Sequence, residues 1–175
     1  QEVVHHEVMP NEAVSYGETS LPLSVEVKRA LEAMSIEKLY AHQAKGIDLI
    51  RQGLHTVIMT PTASGKSLIY NIPVVESLLK DPGSHALYLF PLKGLEQDQM
   101  KAFMELAGSI LSTEESGAAK GRKTRSQPLK ACEIYDGDTT TYRRKKIRDT
   151  PPPVVLTNPD MLHLAINAFH PKWEA

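Results

Sequence analysis

"VIMTPTASGKSLIYNIPVV", residues 57–75, is the stretch that decides the fold. A short apolar run, Val57 to Met59, leads through Thr60-Pro61-Thr62-Ala63-Ser64-Gly65-Lys66-Ser67 into apolar side chains at helical spacing. The order predicts a buried strand over Val57–Thr60, a tight loop, and a helix over Lys66–Lys80. The amides of Ala63 to Ser67 then surround a helix N-terminus, where free N–H groups and the macrodipole favour an anion. Gly65 lets the backbone approach phosphates, Lys66 supplies a point charge for β and γ oxygens, and the Ser67 hydroxyl can ligand magnesium. Thr60 stands where such loops usually start with glycine. That glycine mainly eases the turn, so the chemistry rests on Gly65-Lys66-Ser67. Pro73 is expected to kink the helix or to be accommodated near its middle.

Working outward, residues 1 to about 24 carry no sustained period and contain Pro10, Gly17 and Pro22, which suggests an extended arm lying on a neighbouring surface. Helices are expected from Val25 to Met34 and from Ala41 to Gln52, the second closed by Gly53. Downstream the pattern alternates. "ALYLF" at 86–90 reads as a buried strand, Leu95–Ala107 as a helix closed by Gly108, and Cys132–Tyr135 as a short strand. Thr140–Arg148 reads as a helix, Val154–Thr157 as a strand and Pro159–Ala168 as a final helix. Short apolar strands alternating with helices define an α/β fold, a parallel sheet with helices on both faces. The polar stretch at 109–130 interrupts the rhythm and reads as a mobile insertion.

Composition narrows the classes further. The chain has 175 residues, 41% of them hydrophobic and 23% charged, enough for one domain with a substantial core. No apolar run approaches the roughly 20 residues of a membrane span, and no signal-peptide pattern opens the chain, so an intracellular protein without a membrane partner is expected. The single cysteine, Cys132, excludes an internal disulfide and is a poor start for a zinc site; a buried small hydrophobe is the better reading. His5 and His6 read as a surface pair, and Trp173 as a packing residue. The net charge of −1 excludes a uniformly basic surface, but basic side chains cluster at 120–125 and 143–148.

Further candidate site residues sit at element ends. In "LYAHQ", residues 39–43, the Gln43 amide offers the donor and acceptor that match an adenine edge, and Tyr40 can stack on the base. Lys93 and Gly94, in "FPLKGLEQDQ", follow a parallel strand on the ligand side of the sheet, where the lysine can meet a nucleic-acid phosphate. "YDGDT" at 135–139 and "TNPDML" at 157–162 occupy the same edge. Thr157 and Asn158 can offer a hydroxyl, an amide and helix N-terminal N–H groups to a phosphodiester. Thr139 and Asn158 are equally ordinary helix caps, and Gly137 an ordinary turn residue.

Taken in order, "LYAHQAKGIDLI", "TPTASGKSLIYNIPVVESLL", "ALYLFPLKGLEQDQ", "YDGDT" and "VVLTNPDMLH" resemble the first RecA-like motor domain of superfamily two DNA helicases. More narrowly they are similar to the RecQ-related helicases of the Hrq type, the branch that includes the bacterial mitomycin-repair helicases. The resemblance covers about residues 36 to 173, leaving 1–35 as an arm with a short helix. It implies a partial RecA-like P-loop domain, ATP and Mg2+ as cofactors, single-stranded or forked DNA as the partner, and ATP-dependent 3′ to 5′ translocation on single-stranded DNA with duplex unwinding in repair. It places Gln43 in the adenine-recognition motif, Thr62, Ala63, Ser64, Gly65, Lys66 and Ser67 in the phosphate loop, and Ser67 on the ATP-bound magnesium. Lys93 and Gly94 fall in one DNA-contacting motif, and Thr157, Asn158 and Asp160 in the next. Leu92 and Gly94 stand where the family more often has threonine and alanine. No Asp-Glu-x-His motif follows Thr157, so this chain is expected to be an N-terminal piece of a motor that binds ATP without turning it over efficiently, its remaining helicase domains lying elsewhere in the parent chain. Nuclear placement is expected in a eukaryote and cytoplasmic placement in a prokaryote. A non-enzymatic interaction module with a relic loop, and an RNA helicase, are the alternatives the residues leave open.

Overall fold

The computed structural model describes residues 14–111 and 131–173. Residues 1–13 with His5 and His6, and nearly all of the expected 109–130 insertion, lie outside them. Three parallel strands form the sheet: β3 (Ala86–Leu89), β4 (Cys132–Ile134) and β5 (Val154–Thr157), in the order β3-β5-β4. Register pairs Ala86 and Cys132 with Val154, one on each side. β5 is therefore the central strand, and all four of its residues are buried. Val154 and Leu156 point into a core with Ile72, Val75, Phe103 and Leu106, whereas Val155 joins Tyr135, Ile147 and Met161. Burial on both faces is why the strand reads as an unbroken apolar run.

The first core takes in α1 (Val25–Ala33), α2 (Ala41–Arg51), α3 (Ser67–Lys80) and α4 (Lys93–Leu111). The second is covered by α5 (Thr141–Asp149) and the C-terminal segment, so the sheet carries helices on both faces as expected. Ser24 caps α1 by accepting the Val27 N–H at 3.2 Å, and Thr140 caps α5. α3 passes through Pro73 without a break. Among the described residues, no helix is long and apolar enough to cross a membrane.

Several local expectations are corrected. No strand forms at Val57–Thr60: among the described residues the segment pairs with no neighbouring strand, and Val57 and Met59 are 87% and 90% exposed. A strand needs a hydrogen-bonded partner as well as an apolar sequence, and only Ile58 turns inward, toward Gly46 on α2. α4 begins at Lys93 and runs past Gly108 to Leu111, because its apolar stripe of Phe103, Leu106 and Ala107 continues to Ile110. The final helix is broken into α6 (Pro159–Met161), a π-helical turn (Leu162–Ile166) and a 3₁₀ stretch (Asn167–Lys172). Trp173 does pack, edge-on against Tyr135 with ring centroids 5.2 Å apart. Within the arm, β1 (Tyr16–Gly17) pairs antiparallel with β2 (Leu39–Tyr40), two strands too short to show a period. Ser20 further fastens the arm, its N–H and hydroxyl both donating to Asp48 at 2.8 Å.

Candidate functional site

The phosphate-loop residues come together at the N-terminus of α3. Gly65 has φ +69° and Ala63 φ +59°, the left-handed region that alanine occupies only at a cost of about 1–2 kcal/mol. Such strain persists only where neighbours over-determine the backbone. Here the neighbours are on α2. Gln43 donates from Nε2 to the Gly65 carbonyl at 2.9 Å, and a ring nitrogen of His42 meets the Ser64 carbonyl at 3.0 Å, which requires it to carry the proton. A Cβ at position 65 would lie 2.5 Å from Gln43 Nε2, so glycine is demanded by space as well as by φ.

Inside the loop, the Thr60 and Ser64 hydroxyls are 2.6 Å apart, a contact glycine at 60 would lack. The Lys66 ammonium donates to the carbonyls of Thr60 and Pro61 at 3.0 and 2.5 Å. Ser67 donates its hydroxyl proton to Gln99 Oε1 on α4 at 2.9 Å, which leaves the hydroxyl lone pairs for a cation. Thr62 and Ala63 are exposed on the rim. These residues suit a nucleoside triphosphate: a backbone bare of side chain at Gly65, an ammonium group at Lys66 held only by neutral oxygens, and a hydroxyl and helix N-terminus at Ser67.

Beside the loop, a cleft of about 600 Å³ is bordered by Tyr16, Ile36, Tyr40, Gln43, Ala63 and Gly65. Tyr40 stacks with both Tyr16 and His42, with centroid separations of 5.6 Å in each case. Gln43 is 2% exposed, and its Oε1 already accepts the Tyr40 N–H at 2.8 Å. The amide therefore braces the loop. Tyr16 is the aromatic side chain that the cleft leaves more open, at 56% exposure against 36% for Tyr40.

A second group forms where the three strands end. Lys93 pairs with Asp138 at 2.6 Å, Asn158 donates from Nδ2 to Glu96 at 3.1 Å, and Thr157 donates to the Tyr135 carbonyl at 2.6 Å. Each contact ties one strand-end segment to another. Lys93 is half exposed, Gly94 is open, and Asp160 is exposed. Thr157, by contrast, is fully buried and its hydroxyl is engaged, so it holds the strand ends and does not face solvent. Asn158 accepts the Met161 N–H at 3.0 Å through Oδ1, the capping role its sequence position allowed. Asp136 accepts from the Asp138 and Thr139 N–H groups and shapes the turn. The Asp138 hydrogen bond holds the Lys93 ammonium above its usual pKa, and burial raises that of Glu96 against the Asn158 hydrogen bond.

His42, Glu96, Gln99, Asp138 and Tyr16 were not singled out from sequence. For two of them a signal existed: Glu96 and Gln99 lie on the same helical stripe as Phe103 and Leu106, and so face inward.

A strained loop at a helix N-terminus, at the edge of a parallel sheet, defines a P-loop nucleotide-binding domain of the RecA-like class. The chain belongs to the DEAD/DEAH box helicase family, whose model matches residues 40–173. It is 39% identical over 170 residues to the uncharacterized ATP-dependent helicase YprA of Bacillus subtilis (strain 168), covering 96% of this chain and 20% of YprA. It is 38% identical over 176 residues to the ATP-dependent helicase hrq1 of Schizosaccharomyces pombe, covering 99% of this chain and 15% of that protein. Its fold matches the crystal structure of the DUF1998 helicase MrfA bound to DNA with a TM-score of 0.77 at 37% identity, over 96% of this chain and 21% of MrfA. MrfA has also been crystallised with DNA and AMPPNP. This chain thus spans about a fifth or less of the length of YprA, hrq1 and MrfA.

Proposed function

We propose that this chain is the nucleotide-binding part of an ATP-dependent DNA helicase, and that it brings ATP with Mg2+ and single-stranded DNA to opposite ends of one connected surface. The observation that carries this reading is α4. Its first turn presents Lys93 at the strand-end group, and Gln99 on the same helix holds the Ser67 hydroxyl. A shift of that helix on DNA binding changes the oxygen offered to magnesium, and the converse holds by linkage. When bound, ATP supplies the phosphoryl group whose transfer to water drives translocation. This chain's residues would bind and orient it: Lys66 would exchange loop carbonyls for phosphate oxygens, Ser67 would offer its lone pairs to magnesium, and the amides near Gly65 would receive phosphate oxygens. The cleft beside Tyr16, Tyr40 and Gln43 is the place for the base.

DNA as the track is carried over from the MrfA complexes and the sequence resemblance, whereas 3′ to 5′ direction, a role in repair and an intracellular site of action rest on the sequence resemblance alone. The test is a titration of the 175-residue chain with labelled single-stranded DNA, with and without Mg-AMPPNP, at several salt concentrations. Binding should weaken with salt, and Lys93→Ala should lower the slope of log K against log salt by about 0.7, one single-strand phosphate contact. Binding indifferent to salt and to Lys93 would sink the DNA assignment, and tighter binding to RNA of the same sequence would reassign the track.

A further inference from the structure

Glu96 occupies a position where a core gains nothing from a carboxylate. It is fully buried on the inner face of α4, in line with Phe103 and Leu106, and its Oε2 has no hydrogen-bond partner among the described residues. A buried polar atom left unpaired costs stability, and an apolar side chain of similar volume would fill the site with no such cost. Departures of this kind concentrate at functional sites. Among the described residues, no group of three or more His, Cys, Asp or Glu side chains could hold a metal ion.

The contact that Glu96 does make accounts for the carboxylate. Asn158 uses Oδ1 to cap Met161, a role that leaves its Nδ2 with nothing to hold. Glu96 Oε1 accepts from that Nδ2 at 3.1 Å. The bond fixes the amide's rotation and links the first turn of α4, which carries Lys93 and Gly94, to the turn that carries Asp160. We propose that Glu96 is a positioning residue for nucleic-acid binding: its carboxyl clamps Asn158 and holds segments 93–94 and 158–160 in one mutual orientation. This rests on the reading of that edge as a nucleic-acid surface.

The clamp has an electrostatic cost that makes it separable by substitution. Phosphates only accept hydrogen bonds and carry negative charge, so an ionised Glu96 beneath them opposes binding. The groups around it are Asp136 and Asp138 on the loop after β4, which add to its negative field, Lys93 on α4, which offsets it, and the Asn158 N–H. Glu96→Gln keeps an acceptor oxygen for Asn158 and removes the charge. Glu96→Leu removes both and keeps the volume.

The experiment measures fluorescence anisotropy of a labelled oligothymidylate with the wild-type chain, E96Q and E96L, over a pH series running upward from the ordinary glutamate range, together with a melting curve for each. E96Q should bind at least as tightly as wild type at neutral pH, and the gap should close as pH falls and Glu96 gains its proton. E96L should bind about three- to tenfold more weakly than E96Q, the equilibrium worth of one net hydrogen bond, while melting no lower than wild type. E96L matching E96Q in affinity would show that charge alone matters and would overturn the clamp. A weaker E96L that also melts lower would make Glu96 merely structural. Wild-type binding that all variants share would end this inference alone, whereas a wild-type chain with no salt-sensitive binding would end the nucleic-acid reading beneath it.

Discussion

Lys66 turns its ammonium group back on its own loop, donating to the Thr60 and Pro61 carbonyls. Hydrogen bonds to a phosphate are charge-assisted and roughly twice as strong as those to a neutral carbonyl, so a nucleotide takes the lysine from the loop. Lys66→Ala is therefore expected to weaken Mg-ATP binding about tenfold or more, with an unchanged circular dichroism spectrum, as isothermal titration would show. Gly65 is constrained twice, by φ +69° and by Gln43. Gly65→Ala should destabilise the chain by about 1–2 kcal/mol in urea and abolish nucleotide binding together with it. The identities of Gly65, Lys66 and Ser67 were legible because their chemistry is local. The bracing by His42, Gln43 and Gln99 was not, because those side chains reach the loop only after α2 and α4 pack beside it.

At the scale of elements, β5 and α4 do the most. β5 is the strand shared by both cores, and Leu156 is fully buried in the larger one. Leu156→Ala should cost about 2–5 kcal/mol, read from the shift in the urea midpoint. α4 carries Lys93, Glu96 and Gln99 within its first two turns, so one rigid rod touches both candidate sites. Strand and helix types followed from periodicity, and the boundaries at Ala41 and Lys80 for helices and at Thr157 for a strand match expectation. What failed were features set by partners: Val57–Thr60 has the composition of a strand and no neighbour to bond with, and α4 overrides the stop signal of Gly108 because Ile110 still has core to enter. The β1–β2 pair was invisible because two-residue strands have no period.

For the whole molecule, Glu96 makes stability depend on pH in a direction opposite to that of most carboxylates. Its folded-state pKa is raised, chiefly by burial, so the folded chain holds this proton at pH values where the unfolded chain has lost it. Its contribution is complete below the ordinary glutamate range, about pH 4.3, and is lost as pH rises through the raised value. Glu96→Gln should accordingly melt higher than wild type at neutral pH, with the difference vanishing below that range; an unchanged difference across the titration would place the effect elsewhere. Saturating Mg-ATP should also raise the melting temperature, since it binds the folded chain alone.

The amino-acid sequence by itself determined the α/β class, the parallel sheet with helices on both faces, the phosphate loop and the helicase resemblance, because period, loop chemistry and motif order are properties of neighbours along the chain. Only the tertiary structure decided which side chains work in pairs: Gln43 with Gly65, Gln99 with Ser67, Lys93 with Asp138, Glu96 with Asn158. Those partners are separated by 22 to 62 positions. Hydrogen bonds between them depend on distance and angle in space, which the packing of α2 against α3 and of α4 against the sheet sets and local sequence does not encode.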